Sequence, residues 1–319
     1  MTTVDAHHRV APRRSSRAGA VTQAGETPLA LPDLPSGDLS WRVYLGLPLA
    51  VLAVCALAPL LGHEAWSTIM LEEFGLLEIA TVVMLIPAIA FSILIFRRRG
   101  ALPPFVGALM LLGGLAAFYF AGEEASWGQH YFGYATPEAI AANNDQGEFN
   151  LHNTDGVLGG LFDQGPRALM FIGCLVGGVI LPFLKPRERL EPGAERTLWY
   201  WIIPTRGLAI AALLAVTCNL PGKILESLEF TMTNRSAEQF ATQYGVPVEA
   251  LESLRITVDP TNYWAMTLLV TGGELKELFF SMVMLLFLWS AWRRARRWSE
   301  VTAQNDASDA TLLGSAAPA

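Results

Sequence analysis

Charged residues and cysteines are scarce in this sequence. Asp, Glu, Lys and Arg together make up 16% of its 319 residues, and only three cysteines occur. A soluble domain of this length needs more polar surface than that composition supplies. Cys55, Cys174 and Cys218 fall inside apolar runs without any CxxC spacing. No disulfide framework, zinc-thiolate site or redox motif is therefore predicted.

Basic residues show no surplus either. The net charge is -7, and basic residues are not interleaved with aromatics in the manner of nucleic-acid-binding surfaces. Nucleic acid is therefore not an expected partner. The chain also lacks a P-loop, a GxSxG motif and a dinucleotide-binding fingerprint, so none of these familiar sites suggests a function.

Long apolar runs dominate what is present. Apolar residues account for 52% of the chain, and the mean hydropathy is +0.36. A membrane-spanning helix needs about 20 mostly apolar residues. Runs of that kind occur at 42–62, 74–96, 103–122, 167–184, 206–226 and 268–292. We predict an all-α, polytopic integral membrane protein with six transmembrane helices.

The polar segments outside these runs predict the domain organisation. Residues 1–40 are rich in Ala, Pro, Ser and Thr, and residues 299–319 are polar and low in complexity. Both are predicted to be disordered tails on either side of a six-helix membrane domain at 41–298. Within that domain, long loops at 123–166 and 227–263 connect the third span to the fourth and the fifth span to the sixth.

The distribution of basic residues predicts the orientation. Assigning alternate sides to the loops places 17 of the 22 Lys and Arg residues on the same side as both tails. Basic residues near span ends mark the cytoplasmic side. Both termini are therefore predicted to be cytoplasmic and the two long loops extracytoplasmic, in a multi-pass protein of the cell membrane.

Acidic residues of several spans are predicted to meet at one depth. About 20 residues at 1.5 Å rise cross the hydrocarbon layer. Counted about 20 residues from Arg97, Pro103, Arg206 and Arg293, the second, third, fifth and sixth spans each reach one or two acids. These acids are Glu78, Glu123, Glu124, Glu226, Glu229, Glu274 and Glu277. Carboxylates there are costly unless they face each other or water, so we expect a shared site. The alternative is that they are interfacial, or structurally paired with Lys276.

The segment Gly122 to Asn153 reads GEEASWGQHYFGYATPEAIAANNDQGEFNLHN and is dense in polar side chains. The candidate catalytic residues are Glu123, Glu124, Glu148 and His152. The candidate substrate-binding residues are Trp127, Gln129, Asn150, Asn153, Glu78, Glu226, Glu274 and Glu277.

Three interpretations of this segment remain open. One is a divalent metal held by Glu124, Glu148 and His152, since carboxylates and imidazole suit zinc, manganese or iron. Another is metal-free acid-base chemistry by two carboxylates. The third is that the amides only satisfy the backbone of an irregular loop packed on the helices.

The pattern GEExSWGQ followed by ExNLHN resembles a signature shared by a group of poorly characterised bacterial multi-pass membrane proteins. The matching positions are Glu123, Glu124, Ser126, Trp127, Gln129, Glu148, Asn150, His152 and Asn153. The resemblance implies a common extracytoplasmic site and no particular activity.

Three functions fit these observations. The first choice is a hydrolase or transferase acting on a lipid or lipid-linked substrate of the bilayer, because polar groups converge at head-group depth. A cation- or proton-coupled transporter that uses Glu226, Glu274 and Glu277 is one alternative. A non-catalytic partner that docks an envelope complex through the loop is another.

Overall fold

The structure, a computed structural model, describes residues 38–70, 75–144, 147–151, 154, 160–185, 196–224, 264, 267 and 271–315. These residues contain no β-strand, only an isolated bridge between Asn144 and Thr154. The helical segments long and apolar enough to cross a membrane are, in chain order, Trp41–Leu61, Leu76–Arg97, Pro104–Glu124, Gly160–Leu184, Leu198–Ile224 and Gly272–Glu300. The predicted all-α fold and its six spans are confirmed, and the side that holds the termini stays a prediction.

The spans differ in how regular their helices are. The second and third are single α-helices, and the sixth opens a helix that runs over Gly272–Ser315. The first span contains two shorter helical segments, Trp41–Leu57 and Ala58–Leu61. The fourth contains Gly160–Gln164, Gly165–Ile172, Gly173–Ile180 and Leu181–Leu184. The fifth contains Leu198–Ile202, Arg206–Leu208 and Ala209–Thr217. Short helices between the spans are His63–Met70, Arg99–Ala101, Ser126–Gly128, Gln129–Phe132 and Glu138–Ala141.

The sixth span lies at the centre of the bundle and the fourth at its periphery. In their most apolar stretches, 78% of the sixth span is buried and only 17% of the fourth. Phe279 of the sixth span packs with Ala212 of the fifth, and Leu285 packs with Leu85 of the second. The loosely packed fourth span leaves a cavity beside the third and sixth spans.

The second and third spans approach each other through small residues. A Cβ on Gly114 would lie 2.5 Å from the Cβ of Ser92. The Ser92 hydroxyl donates a hydrogen bond of 2.8 Å to the carbonyl of Met110. Close backbone approach and interhelical hydrogen bonds stabilise helix pairs in lipid. These contacts hold in place the third span, which ends in Glu123 and Glu124.

The bundle has an acidic end and a basic end. Glu78 and Glu274 lie in the first turns of their helices, and Glu124 is the last residue of the third span, which defines the acidic end. At the opposite, basic end the Asp38 carboxylate accepts hydrogen bonds from Tyr44 at 3.0 Å and from Ser290 at 2.7 Å. These bonds tie the first span to the sixth.

Predicted boundaries at the acidic end differ from the structure. The fourth span begins at Gly160, where the sequence predicts 167, because Asp163 and Arg167 pair at 2.7 Å one helical turn apart and their charges offset each other. Glu123 and Glu124 belong to the third span, where the sequence places them in the loop 123–166.

Two further boundaries lie at the basic end. The fifth span begins at Leu198 and not at 206, since Pro204 interrupts its helix without ending the span. The last helix continues to Ser315, although the sequence predicts a disordered tail from 299; an Arg296 to Glu300 pair at 3.0 Å supports its continuation. Residues 1–37 and the loop 227–263 lie outside the described residues.

Candidate functional site

The third span ends in two adjacent acids, Glu123 and Glu124. The C-terminal end of a helix carries partial negative charge, so a carboxylate gains no stabilisation from the helix dipole there. Both side chains are nevertheless buried, with 3% and 9% of their surfaces exposed. A buried carboxylate needs hydrogen bonds or opposite charges, and the two acids differ in what they receive.

Glu123 is bound by the loop that follows the third span. The indole N–H of Trp127 donates to its Oε1 at 2.8 Å, and the backbone N–H of Leu151 donates to its Oε2 at 2.7 Å. The Trp127 ring lies over Gly122, where an added Cβ would come within 2.8 Å of ring atoms. These contacts give Glu123 a structural role, because they fasten both ends of the loop to the span.

The chain leaves the third span through a left-handed turn. The φ angles are 43° at Ser126, 51° at Trp127 and 87° at Gly128. A left-handed conformation costs a non-glycine residue roughly 1–2 kcal/mol. The Tyr134 hydroxyl lies 3.3 Å and 3.1 Å from the carbonyl oxygens of Ser126 and Trp127, to which it donates. This turn directs the Trp127 side chain toward Glu123 and the Ser126 hydroxyl toward Glu148.

Ser126, Glu148 and Asn150 form the polar centre of this loop. The Ser126 hydroxyl donates to Glu148 Oε2 at 2.5 Å, and Asn150 Nδ2 donates to the same oxygen at 2.8 Å. Asn144 donates to Asn150 Oδ1 at 2.8 Å and accepts from the Glu148 backbone N–H at 3.0 Å. Glu148 and Asn150 therefore point toward a common partner, the Ser126 hydroxyl.

Gln129, a predicted substrate ligand, is also engaged within the loop. Its Oε1 accepts from the backbone N–H of Phe149 at 2.6 Å, and its Nε2 donates to the Thr136 hydroxyl at 2.8 Å. Trp127 is occupied by Glu123 and packs edge-on against Phe118. The geometry of these side chains matches the interpretation in which the motif residues satisfy an irregular loop.

A cavity of about 350 Å³ lies between the third, fourth and sixth spans, and we call it the acidic cavity. Of the described residues, Leu112, Ala116, Phe120, Phe162, Pro166, Leu169, Met170, Phe280 and Met284 line its apolar wall. Its polar end is lined by Tyr119, Glu123, Glu124, Asp163, Arg167 and Glu277. Leu112 and Leu169 are 64% and 73% exposed, so the mouth opens on the apolar lateral surface. The Tyr119 hydroxyl donates to the Phe162 carbonyl at 3.1 Å and joins two walls.

Glu124 lies at the polar end of this cavity. No hydrogen bond or ion pair joins its carboxylate to any residue that the structure describes. Its electrostatic neighbours are Glu277, Glu274, Glu78 and Arg167, three acids against one cation. Glu124 is thus a buried carboxylate that faces a largely apolar space.

Arg167 joins the fourth span to the sixth at the same place. Its Nη2 lies 3.1 Å from Glu277 Oε1, and its Nε lies 2.7 Å from Asp163 Oδ1. Lys276 Nζ is 3.6 Å from the same Glu277 oxygen. Glu277 therefore has two cationic partners, in contrast to Glu124.

Glu78 and Glu274 lie in the first turns of the second and sixth span helices. An acid in a first turn interacts favourably with the partial positive charge of the helix N-terminus, which accounts for both positions structurally. Both also lie close enough to Glu124 to interact with it electrostatically. The structure thus brings together four of the predicted acids, Glu78, Glu124, Glu274 and Glu277.

Other predicted site residues, His152, Asn153 and Glu226, lie outside the described residues. In the part of the chain that the structure describes, no three His, Cys, Asp or Glu side chains group closely enough to hold a metal ion. Glu148 Oε2 already accepts two hydrogen bonds. The divalent metal of Glu124, Glu148 and His152 stays a prediction, because one of its ligands is not described.

Comparison with known proteins adds no further constraint. No protein-family model, curated protein or solved structure matches this chain. The resemblance to bacterial membrane proteins therefore stays a prediction, and function must be argued from the site.

Arg167 and Asp163 are site residues that the sequence analysis did not select. Asp163 precedes the apolar run predicted at 167–184, whereas Arg167 is the first residue of that run. The available signal was their spacing of four residues, which places opposite charges on one helix face. Ser126 and Asn144 were not selected either, since a hydroxyl and an amide in a polar loop have many possible partners.

Proposed function

We propose that this protein is a membrane hydrolase or transferase that acts on a lipid or lipid-linked substrate in the acidic cavity. The position of Glu124 carries the proposal. Glu124 is a buried carboxylate at a helix C-terminus, without a hydrogen bond from the described residues, at the polar end of an apolar cavity. Local arrangements that cost stability are typical of functional sites.

The shape of the cavity supports an amphiphilic substrate. Its volume of about 350 Å³ falls within the range of roughly 300–1,000 Å³ found for small-molecule sites. A hydrocarbon chain entering between Leu112 and Leu169 meets Phe120 and Met170 along the wall. The head group of the same molecule then reaches Glu124, so an apolar tail and a polar reacting group are both accommodated.

The chemistry rests on acid-base catalysis by Glu124. Its carboxylate accepts the proton of the attacking hydroxyl, which belongs to water in a hydrolase or to a second substrate in a transferase. Arg167, held by Asp163 and Glu277, faces the negative charge that develops on the substrate. The proton then passes from Glu124 to the oxygen of the leaving group, which restores the carboxylate.

In this proposal the acidic end faces away from the cytoplasm. The opposite end of the bundle carries Arg97 to Arg99 at the end of the second span and Arg293 to Arg297 near the end of the sixth. Basic residues at span ends favour the cytoplasmic side, so both termini lie there. The substrate head group comes from the outer leaflet of the cell membrane.

The experiment compares product formation by wild type, Glu124→Gln and Glu138→Gln. Glu138 is an exposed loop acid outside the cavity, so its variant is the matched control. Each protein is reconstituted with phospholipids and polyprenyl-linked sugars, and products are followed by mass spectrometry. We expect Glu124→Gln to lose about 10²–10⁴-fold in rate, as for removal of an acid-base group, and Glu138→Gln to match wild type. Equal rates in all three proteins would contradict the proposal.

A proton-coupled transporter is the second candidate. Glu124 and its three acidic neighbours come from three spans and, among the described residues, outnumber their cations, Arg167 and Lys276. Clustered acids of this kind occur in proton pathways. A transporter would move substrate across sealed vesicles only under a pH gradient, without making a new product, and would lose this transport in Glu274→Gln as well as in Glu124→Gln.

Two exposed aromatic residues of the loop favour the third candidate, a docking protein. Tyr131 and Phe132 are 62% and 81% exposed, more than most large side chains of the loop. Exposed aromatics are frequent both at membrane interfaces and at binding surfaces. Docking would be abolished by Phe132→Ser and retained in Glu124→Gln, the reverse of the pattern expected for the enzyme.

A further inference from the structure

A second cavity lies at the basic end of the bundle, along the helix that contains the sixth span. Its volume is about 400 Å³. The described residues that line it are Trp289, Trp292, Arg293, Arg296, Arg297 and Glu300. The spacings of three and four residues place all of these side chains on one face of the helix. We call this face the Trp-Arg face.

The Trp-Arg face has a surplus of positive charge. Arg293, Arg296 and Arg297 are exposed. Arg296 pairs with Glu300 at 3.0 Å, whereas Arg293 and Arg297 form no ion pair with any described residue. Among the described lining residues, three guanidinium groups thus stand against one carboxylate, and the cavity is suited to an anion.

Arg294 shows that the arginines of this helix do not all have one role. It is buried on the opposite face, where its Nη1 donates to the Tyr200 carbonyl at 2.7 Å and its Nε to the Ser290 carbonyl at 3.3 Å. The bond to Tyr200 connects the sixth span to the fifth. Because Arg294 supports the bundle, the exposed arginines can be changed separately from it.

The aromatic part of the Trp-Arg face is fixed by the second span. The ring of Phe91 stacks on Trp289 at 5.8 Å and contacts Trp292 at 5.2 Å. From Glu274 at the acidic end to Trp292, about 18 residues at 1.5 Å rise cover most of the hydrocarbon thickness. Trp289 and Trp292 therefore lie at the membrane interface, and the arginines lie at the depth of lipid phosphates.

We propose that the Trp-Arg face binds the head group of an anionic phospholipid. Arg293 and Arg297 donate hydrogen bonds to the phosphate, since the guanidinium group matches phosphate oxygens in charge and geometry. Trp289 and Trp292 pack against the glycerol and the first carbons of the acyl chains. The ligand is a lipid of the leaflet at the basic end, so this site is distinct from the acidic cavity at the other end of the bundle.

The test measures binding of phosphatidylglycerol to the purified full-length protein by native mass spectrometry. Phosphatidylcholine with the same acyl chains serves as the zwitterionic comparison. The site variant is Arg293→Gln/Arg297→Gln, and the control variant is Arg42→Gln/Arg196→Gln. The control removes the same charge from exposed arginines that do not line the cavity.

We expect wild type to prefer phosphatidylglycerol, and the site variant to bind it at least about tenfold more weakly, as for loss of two charged contacts near a membrane surface. The control variant should change affinity by less than about threefold. Equal weakening in both variants would overturn the proposal in favour of general surface charge. Unchanged binding of phosphatidylglycerol by the site variant would overturn the proposal as well. So would binding of inorganic phosphate as tight as that of the lipid.

Discussion

Arg167 Nη2 lies 3.1 Å from Glu277 Oε1, and this ion pair joins the fourth span to the sixth across the polar end of the acidic cavity. The fourth span is the least buried of the described spans, so polar ties of this kind contribute much to its position. Glu124 lies at the same end without such a tie to a described residue. The pair therefore positions one wall of the cavity while Glu124 remains available to a substrate.

Substitution of Arg167 tests this tie. Arg167→Gln should lower the free energy of unfolding by about 1–2 kcal/mol, since Glu277 loses a charged hydrogen-bond partner while partial exposure of Arg167 screens the loss. Thermal unfolding in detergent measures the effect, with the exposed Arg196→Gln as the control. Glu277→Gln should lower the free energy of unfolding less in the Arg167→Gln background than in wild type. Strict additivity would show that the two residues do not interact.

The polar centre of the loop makes a second prediction. Asn150→Ala removes the amide between Glu148, Ser126 and Asn144 and should destabilise the loop by about 1–3 kcal/mol, because buried polar groups lose their partners. Hydrogen exchange over residues 126–151 should become faster. The control is Asn143→Ala, which removes an exposed loop amide bonded only to the Ala139 carbonyl among described residues. Comparable exchange in the two variants would argue against a buried network.

Gly122 supplies a packing prediction. A Cβ at this position would come within 2.8 Å of the Trp127 ring, so Gly122→Ala should displace Trp127 and weaken its bond to Glu123. The expected loss of stability is about 1–3 kcal/mol, typical of overpacking. Gly173→Ala is the control, since nothing lies within 4 Å of its added methyl group. If both variants unfold at the wild-type temperature, Trp127 does not pack on Gly122.

The six spans and the meeting of Glu78, Glu124, Glu274 and Glu277 could be predicted from sequence. Both depend on the nearly constant rise of a helix, which relates residue counts to membrane depth. The start of the fourth span was harder to predict, because Asp163 and Arg167 lower the local hydropathy. In the structure these two residues pair with each other inside the helix.

The roles of individual motif residues could not be predicted. The partners of Glu123 and Glu148 depend on the left-handed backbone at Ser126 and Trp127. Non-glycine residues adopt that conformation only where surrounding contacts stabilise it. Glu123 and Glu124 likewise differ in their hydrogen bonds, because their side chains leave the end of the helix in different directions.

Orientation can be measured with single cysteines. In a background in which Cys218 is replaced by Ala, Glu138→Cys should react with a membrane-impermeant maleimide in intact cells, since the loop is predicted to be extracytoplasmic. Glu300→Cys, at the basic end, should react only after the membrane is opened. Cys55 and Cys174 are buried and should contribute little background. The opposite labelling pattern would reverse the orientation.

Photo-crosslinking with a lipid that carries a diazirine near its head group shows whether the acidic cavity holds a lipid. Ala116→Phe places a ring in the acidic cavity, whereas Leu115→Phe enlarges an exposed neighbour that does not line it. We expect labelling of residues 119–124 and 162–170 in wild type and Leu115→Phe, and loss of both labelling and turnover in Ala116→Phe. Undiminished labelling of these residues in Ala116→Phe would contradict it.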